Sequence, residues 1–228
     1  MPGGASAGEA EGEGDINLPA WEDPATPFPM NLVETWRRSV LEPGAFFANG
    51  PFDRPAVRPI LYYLLITVLG AVLSLTWGAV LPTTQPGLME TLTEFMNAPL
   101  PDAAAATGTT SRLADFFLTP FWAVLYLIVA SLLLHVFVLV LVPRRRSLTA
   151  TVRTICYASG PGLFAIIPFV GGLVAGIWGV VLTVIGLREA HRTTTGRAFA
   201  VWLLSVALPL AFLMLGVVLL IVGVASGA

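Results

Sequence analysis

Apolar residues in this chain run in blocks long enough to cross a bilayer, and the gaps between charges mark where each block begins and ends. No charge lies between Arg58 and Glu90, and within that gap residues 60–81 make a first span, ended by Pro82. A second uncharged run, between Asp115 and Arg144, holds a span at 119–142, closed by Pro143. Each has roughly the 20 residues that about 30 Å of hydrocarbon requires. From Thr154 to Leu187 there is no charge over 34 residues, which at about 1.5 Å per residue is too long for one straight crossing. That stretch must fold back. Pro161, Pro168, Gly171 and Gly172 supply the break, with the bend at 168–172. The third span is then 148–167, with Arg153 near its polar end and its side chain snorkelling to the interface. The fourth is 169–187, and a fifth covers 198–224 with Pro209 as an internal kink. The pattern predicts an all-α membrane protein: a five-helix transmembrane bundle over residues 60–228.

Ahead of the spans the pattern changes. Residues 1–30 are rich in Gly, Ala, Pro and Glu, carry Glu9, Glu11, Glu13, Asp15, Glu22 and Asp23, and contain no base. Such a segment has little to bury and is expected to be a disordered acidic tail, solvated or used for docking. It lacks the basic and apolar regions of a signal peptide, so no cleavage is expected. Residues 31–59 comprise a short amphipathic helix and a Pro-rich link. The helix is expected at 31–41, with Asn31 as N-cap, Glu34 as its capping partner and Pro43 as the stop. Its apolar stripe is Leu32, Val33, Trp36 and Val40, which could lie in the lipid interface with Arg37 and Arg38 at the head groups, or pack on the bundle. Phe46, Phe47 and the link residues Pro51, Pro55 and Pro59 follow.

Composition agrees with membrane insertion: 56% of residues are hydrophobic, 11% are charged and the mean hydropathy is +0.81. Charge then sets the orientation. Arg37, Arg38, Arg54 and Arg58 precede the first span, Arg144, Arg145, Arg146 and Arg153 lie around the second connection, and Arg188, Arg192 and Arg197 occupy the fourth. Only Arg112 falls on the other side, an eleven-to-one split of the 12 basic residues. By the positive-inside rule the N-terminus is expected in the cytoplasm and the C-terminus outside. All 12 bases are arginine, which hints at a GC-rich genome and hence a bacterial cytoplasmic (inner) membrane.

Candidate chemistry is sparse. One cysteine, Cys156, excludes an internal disulfide, and the two histidines, His135 and His191, lie far apart in sequence, so no metal site and no cofactor is expected. On the outer connection, 82–118, a short interfacial helix is expected around Leu88, Met89, Leu92, Phe95 and Met96, with Glu90 and Glu94 as solvated acids. No phosphate-binding loop, His-Glu-x-x-His or GxSxG pattern occurs, and no span has Asp, Glu or Lys in its middle, so no catalytic residue is assigned. His135 is the one ionisable group inside a span, suited to packing or hydrogen bonding.

Small residues concentrate in the third and fourth spans. Gly172 and Gly176 form a small-xxx-small step and Gly179 extends it, as tight helix packing requires. The same hairpin carries Tyr157-Ala158-Ser159-x-Pro161, then Ile167-Pro168-Phe169-Val170-Gly171-Gly172, then Trp178, then Gly186-Leu187-Arg188-Glu189-x-His191. In this order, with Trp36, Pro43, Phe46 and Phe47 upstream, the motifs resemble the YIP domain family, named from its eukaryotic Ypt/Rab-interacting members, over residues 32–224. The resemblance implies a five-helix membrane domain with a cytoplasmic N-terminal region, and in eukaryotic relatives a role in vesicle trafficking through Rab GTPases and membrane shaping. Tyr157, Ser159, Pro161, Pro168, Gly171, Gly172, Trp178, Gly186 and Glu189 match its pattern without an assigned role. The function expected is therefore a non-enzymatic, trafficking-like scaffold or adaptor in the lipid bilayer. Its partners would be itself or other membrane proteins, a small GTPase only by family analogy, and no nucleic acid. The alternatives are a permease, channel or transporter accessory subunit using His135, and a membrane enzyme using Glu189 and His191.

Overall fold

A computed structural model describes residues 18–80 and 109–225. The expected outer interfacial helix with Glu90 and Glu94, and Arg112's side chain, lie outside the described residues. Among the described residues seven α-helices and one 3-10 segment follow in order: α1 (Met30–Leu41), α2 (Pro43–Phe47), α3 (Val57–Val80), α4 (Thr109–Leu141), α5 (Leu148–Ala158), the 3-10 segment Gly160–Ile166, α6 (Gly171–Ala190) and α7 (Thr195–Ala225).

Four of these are long and apolar enough to span a membrane: α3, the Phe116–Leu141 part of α4, α6, and the Thr195–Gly223 part of α7. The five-span expectation is corrected at the third span. In place of one continuous α-helix over 148–167 there is an 11-residue α-helix, α5, about 16 Å long at 1.5 Å per residue, too short to cross the bilayer by itself. Gly160, Pro161 and Gly162 end it, because proline has no amide to continue the ladder and glycine loses helix stability. The chain continues in the tighter 3-10 form, with Gly162 N–H donating to Ser159 O at 2.9 Å. It reverses at 167–170, where Phe169 takes a φ of 64° and Gly171 N–H donates to Ile167 O at 3.0 Å. The reversal thus falls where Pro168–Gly172 predicts it, while the first break comes about two turns earlier. The 3-10 segment runs beside α3, with Trp77 Nε1–H donating to Ile166 O at 3.1 Å.

Helix α1 differs at its start. It begins at Met30 after Pro29 with no side-chain cap, so Asn31 is not its N-cap. The carbonyls of Pro27 and Pro29 accept the first amides instead, and Glu34 pairs with Arg37. Its stripe packs on the bundle: Val40 is buried, and Trp36 Nε1–H donates to Gly160 O at 2.8 Å. Val33 faces outward.

The core has two main parts. One joins Tyr63, Leu134, Val138, Ile155, Leu187 and Val201 of the long helices and α5; the other is an aromatic cluster of Phe46, Phe47, Phe52, Tyr62 and Tyr157. Outside, every residue of α7 from 206 to 222 is exposed and nearly all are apolar, a surface that only lipid or protein can cover.

Candidate functional site on the arginine-rich face

Helix α5 brings Arg153 and Tyr157 to one face, one turn apart. Arg153 is the largest fully buried side chain, 1% exposed. Its guanidinium pairs with Glu22 and also donates to Pro55 O at 2.8 Å. The Tyr157 hydroxyl donates to the same Glu22 carboxylate oxygen. Arg153 therefore does not snorkel. A buried guanidinium needs a carboxylate and further acceptors to offset lost hydration, and here the carboxylate comes from a segment read as tail. Residues 1–17 lie outside the description, but 18–29 run in turns, with Pro19 buried and Trp21 and Glu22 held on the bundle. Trp21 N–H donates to Thr35 Oγ1 at 2.8 Å, Trp21 Nε1–H donates to Arg58 O at 2.7 Å, and the Trp21 ring meets Tyr62 edge-on at 6.2 Å. Around the ion pair, Tyr157 touches Phe46 and Tyr62 at centroid distances of 5.2 and 5.3 Å.

The motif residues divide by what they touch. Tyr157, Pro161, Gly171 and Gly186 are buried. Ser159 Oγ donates to Cys156 O at 2.7 Å, and Trp178 Nε1–H donates to Val40 O at 2.9 Å, tying α6 to α1. A Cβ on Gly186 would sit 2.5 Å from Thr154 Cγ2 and 3.2 Å from the Phe47 ring; on Gly171 it would sit 1.9 Å from the backbone oxygen of Phe164. Close approach within the chain is thus made at Gly171 and Gly186. Gly172 and Gly176, expected to pack spans three and four together, have nothing within 4 Å and face outward. Pro168 lies in the turn, and Glu189 makes an ion pair at 2.6 Å with its neighbour Arg188, half-exposed and of little energetic weight.

The two histidines, distant in sequence, meet. His135 Nδ1 lies 2.9 Å from Thr151 Oγ1, which lies 3.0 Å from His191 Nε2, and Arg146 N–H donates to His191 Nδ1 at 3.2 Å. An amide can only donate, so neutral His191 carries its proton on Nε2 and donates to Thr151, whose hydroxyl donates on to His135. A protonated His191 would set an N–H against the Arg146 amide. Burial, with His135 and Arg146 nearby, holds the His191 pKa down to about 4 from 6.5. Its folded pKa is depressed, so the unfolded chain binds more protons between those values, and this contribution to stability is lost as pH falls from 6.5 towards 4. It amounts to no more than about 3 kcal/mol. Unfolding followed across that window should fall less steeply in His191→Gln than in wild type; parallel curves would refute the assignment. Sequence reasoning placed these histidines apart, and Glu189 does not join His191, whose partners are Thr151 and Arg146. Among the described residues no group of three or more metal-binding side chains occurs.

Apolar spanning helices and a lipid-facing surface define a multi-pass α-helical integral membrane protein. The Yip1 domain model matches residues 37–224, and the chain belongs to the Yip1 domain family. The match takes in the hairpin, α6 and α7 but begins after Trp21 and Glu22. No curated protein and no solved structure matches the chain.

Proposed function

We propose that the protein is a non-enzymatic membrane scaffold or adaptor that assembles with itself or with other membrane proteins. The N-terminus would lie on the cytoplasmic side of a bacterial inner membrane, a reading supported by the arginine split. The observation that carries the function is the outward face of α6. Gly172 and Gly176 lie one turn apart, have nothing within 4 Å, and are flanked by exposed Leu173 and Ile177. Such a step lets a second helix approach backbone to backbone, which is how helices associate where burial from water gives no driving force. Membership of a membrane family without assigned chemistry supports the non-enzymatic reading; a small-GTPase partner rests on family analogy alone.

Crosslinking with affinity purification from native membranes tests this. Wild type is expected to yield a specific partner or a self-adduct, and Gly172→Leu with Gly176→Leu to lose it. Because a Cβ at either position would meet nothing within 4 Å, the variant should fold, as an unchanged melting temperature would show, and loss then reports on assembly. Monomers throughout, or variants indistinguishable from wild type, would remove this reading. The second reading, a permease or transporter accessory, draws on the His135–Thr151–His191 chain inside the bundle. Solute or proton flux in liposomes that His135→Ala abolishes would favour it.

A further inference from the structure

Four arginines that the Glu22 centre does not use converge where α4 ends, α5 begins and α6 ends. Arg144, Arg145, Arg146 and Arg192 line one cavity of about 560 Å³, and Asp53 is the only acid in its lining. The convergence is built into the fold. Arg146 is held by its amide on His191, by its guanidinium 5.4 Å from the Phe52 ring centroid, and by Asp53 at 3.7 Å. Arg192 follows His191 directly and sits in the left-handed region, with a φ of 49° that few non-glycine residues adopt.

Several other cations on this face are matched, Arg37 by Glu34 and Glu42, Arg153 by Glu22 and Arg188 by Glu189, while Arg54, Arg58 and Arg197 make no ion pair among the described residues but lie outside the cavity lining. Arg144, Arg145 and Arg192 are exposed, and among the described residues no carboxylate lies within ion-pair distance of them. Helix α5 begins immediately after the arginines, and its cap residue Ser147 makes no side-chain capping bond, so the positive end of the helix adds to the same field. Directly before the arginines, α4 exposes Val136, Leu139 and Val140. A ligand there meets cations at one end and an apolar surface at the other.

We propose that this cavity binds the phosphate headgroup of an anionic phospholipid, with its acyl chains against the exposed side chains of Val136, Leu139 and Val140. Phosphate oxygens match the forked guanidinium donors and could engage several at once. A free phosphate shares that chemistry but has no use for the apolar strip.

Native mass spectrometry of the full chain in detergent micelles separates the cases, with phosphatidic acid, phosphatidylcholine and inorganic phosphate offered in turn. Phosphatidic acid is expected to bind at least about tenfold more tightly than phosphatidylcholine. In R144Q/R145Q/R192Q its affinity should fall on the order of 100-fold. In R37Q/R54Q/R197Q, which removes the same charge outside the cavity, it should fall far less. All six side chains are exposed, so both variants should fold, and equal melting temperatures would confirm it. Equal weakening in the two triples would mean that net charge alone attracts lipid and would overturn the proposal. So would an absence of preference between the two lipids. Binding of inorganic phosphate that the cavity triple abolishes, with no gain for phosphatidic acid over it, would overturn the lipid assignment and leave a soluble phosphate as ligand.

Discussion

Arg153→Met is expected to lower stability by about 3–5 kcal/mol, the cost of removing one member of a buried ion pair. The loss comes from what remains. Glu22 keeps a carboxylate whose side chain is 8% exposed, with only the Tyr157 hydroxyl left to it, and Pro55 O loses a donor. Glu22→Gln should fall at the lower end of the same range: it leaves the buried Arg153 guanidinium without a carboxylate, although the amide oxygen still accepts from both Arg153 and Tyr157. The double variant Glu22→Gln with Arg153→Met should recover part of the loss, since no unpaired charge is then buried. Denaturant unfolding in detergent, read as a double-mutant cycle, measures the coupling. Additive losses would show that Glu22 and Arg153 do not act as a pair. The same experiment reports on the N-terminal strap: protease cleavage near Trp21 should accelerate in Arg153→Met, because Trp21 and Glu22 are held by the same cluster.

The sequence made the long helices legible and left the ion pair hidden, for different physical reasons. A span declares itself by a run without charge, so α3, α6, α7 and most of α4 could be placed within a few residues at most ends. The third span could not, because an apolar run says how much chain avoids water and not whether it stays α-helical. The Gly160–Pro161–Gly162 triplet held that information, but Pro168–Gly172 also carried a break, and one reversal seemed to need only one of them. Arg153 carried a signal as well. A cation inside an apolar run either reaches the interface or finds an acid, and Trp21 beside Glu22 was one of two aromatics, with Phe28, in an otherwise largely small and polar stretch. Nothing in the spacing joins positions 131 residues apart. The two histidines were missed likewise, since Thr151 links them only after α4, α5 and the end of α6 have packed.

The glycines show the limit most sharply, and they carry the second large prediction. Gly171 and Gly172 are neighbours, yet successive helix positions are about 100° apart, so one points into the chain and the other out of it. Composition could mark the pair as small but could not phase it. Gly171→Ala would place a methyl 1.9 Å from the Phe164 carbonyl oxygen. Backbone cannot swing aside as a side chain can, so the 3-10 segment or the start of α6 must shift, at a cost of about 3 kcal/mol or more, the upper range for overpacking. Gly186→Ala meets Thr154 Cγ2 at 2.5 Å and the Phe47 ring; its obstacles are side chains, and its cost should be smaller. Gly172→Ala meets nothing within 4 Å and should leave stability unchanged or slightly raised, as alanine favours a helix. Unfolding of the three variants in detergent should rank them in that order. A tolerated Gly171→Ala would mean that the hairpin is looser than its geometry. A Gly172→Ala that lost association while keeping full stability would separate the face that builds this fold from the face that joins it to a partner.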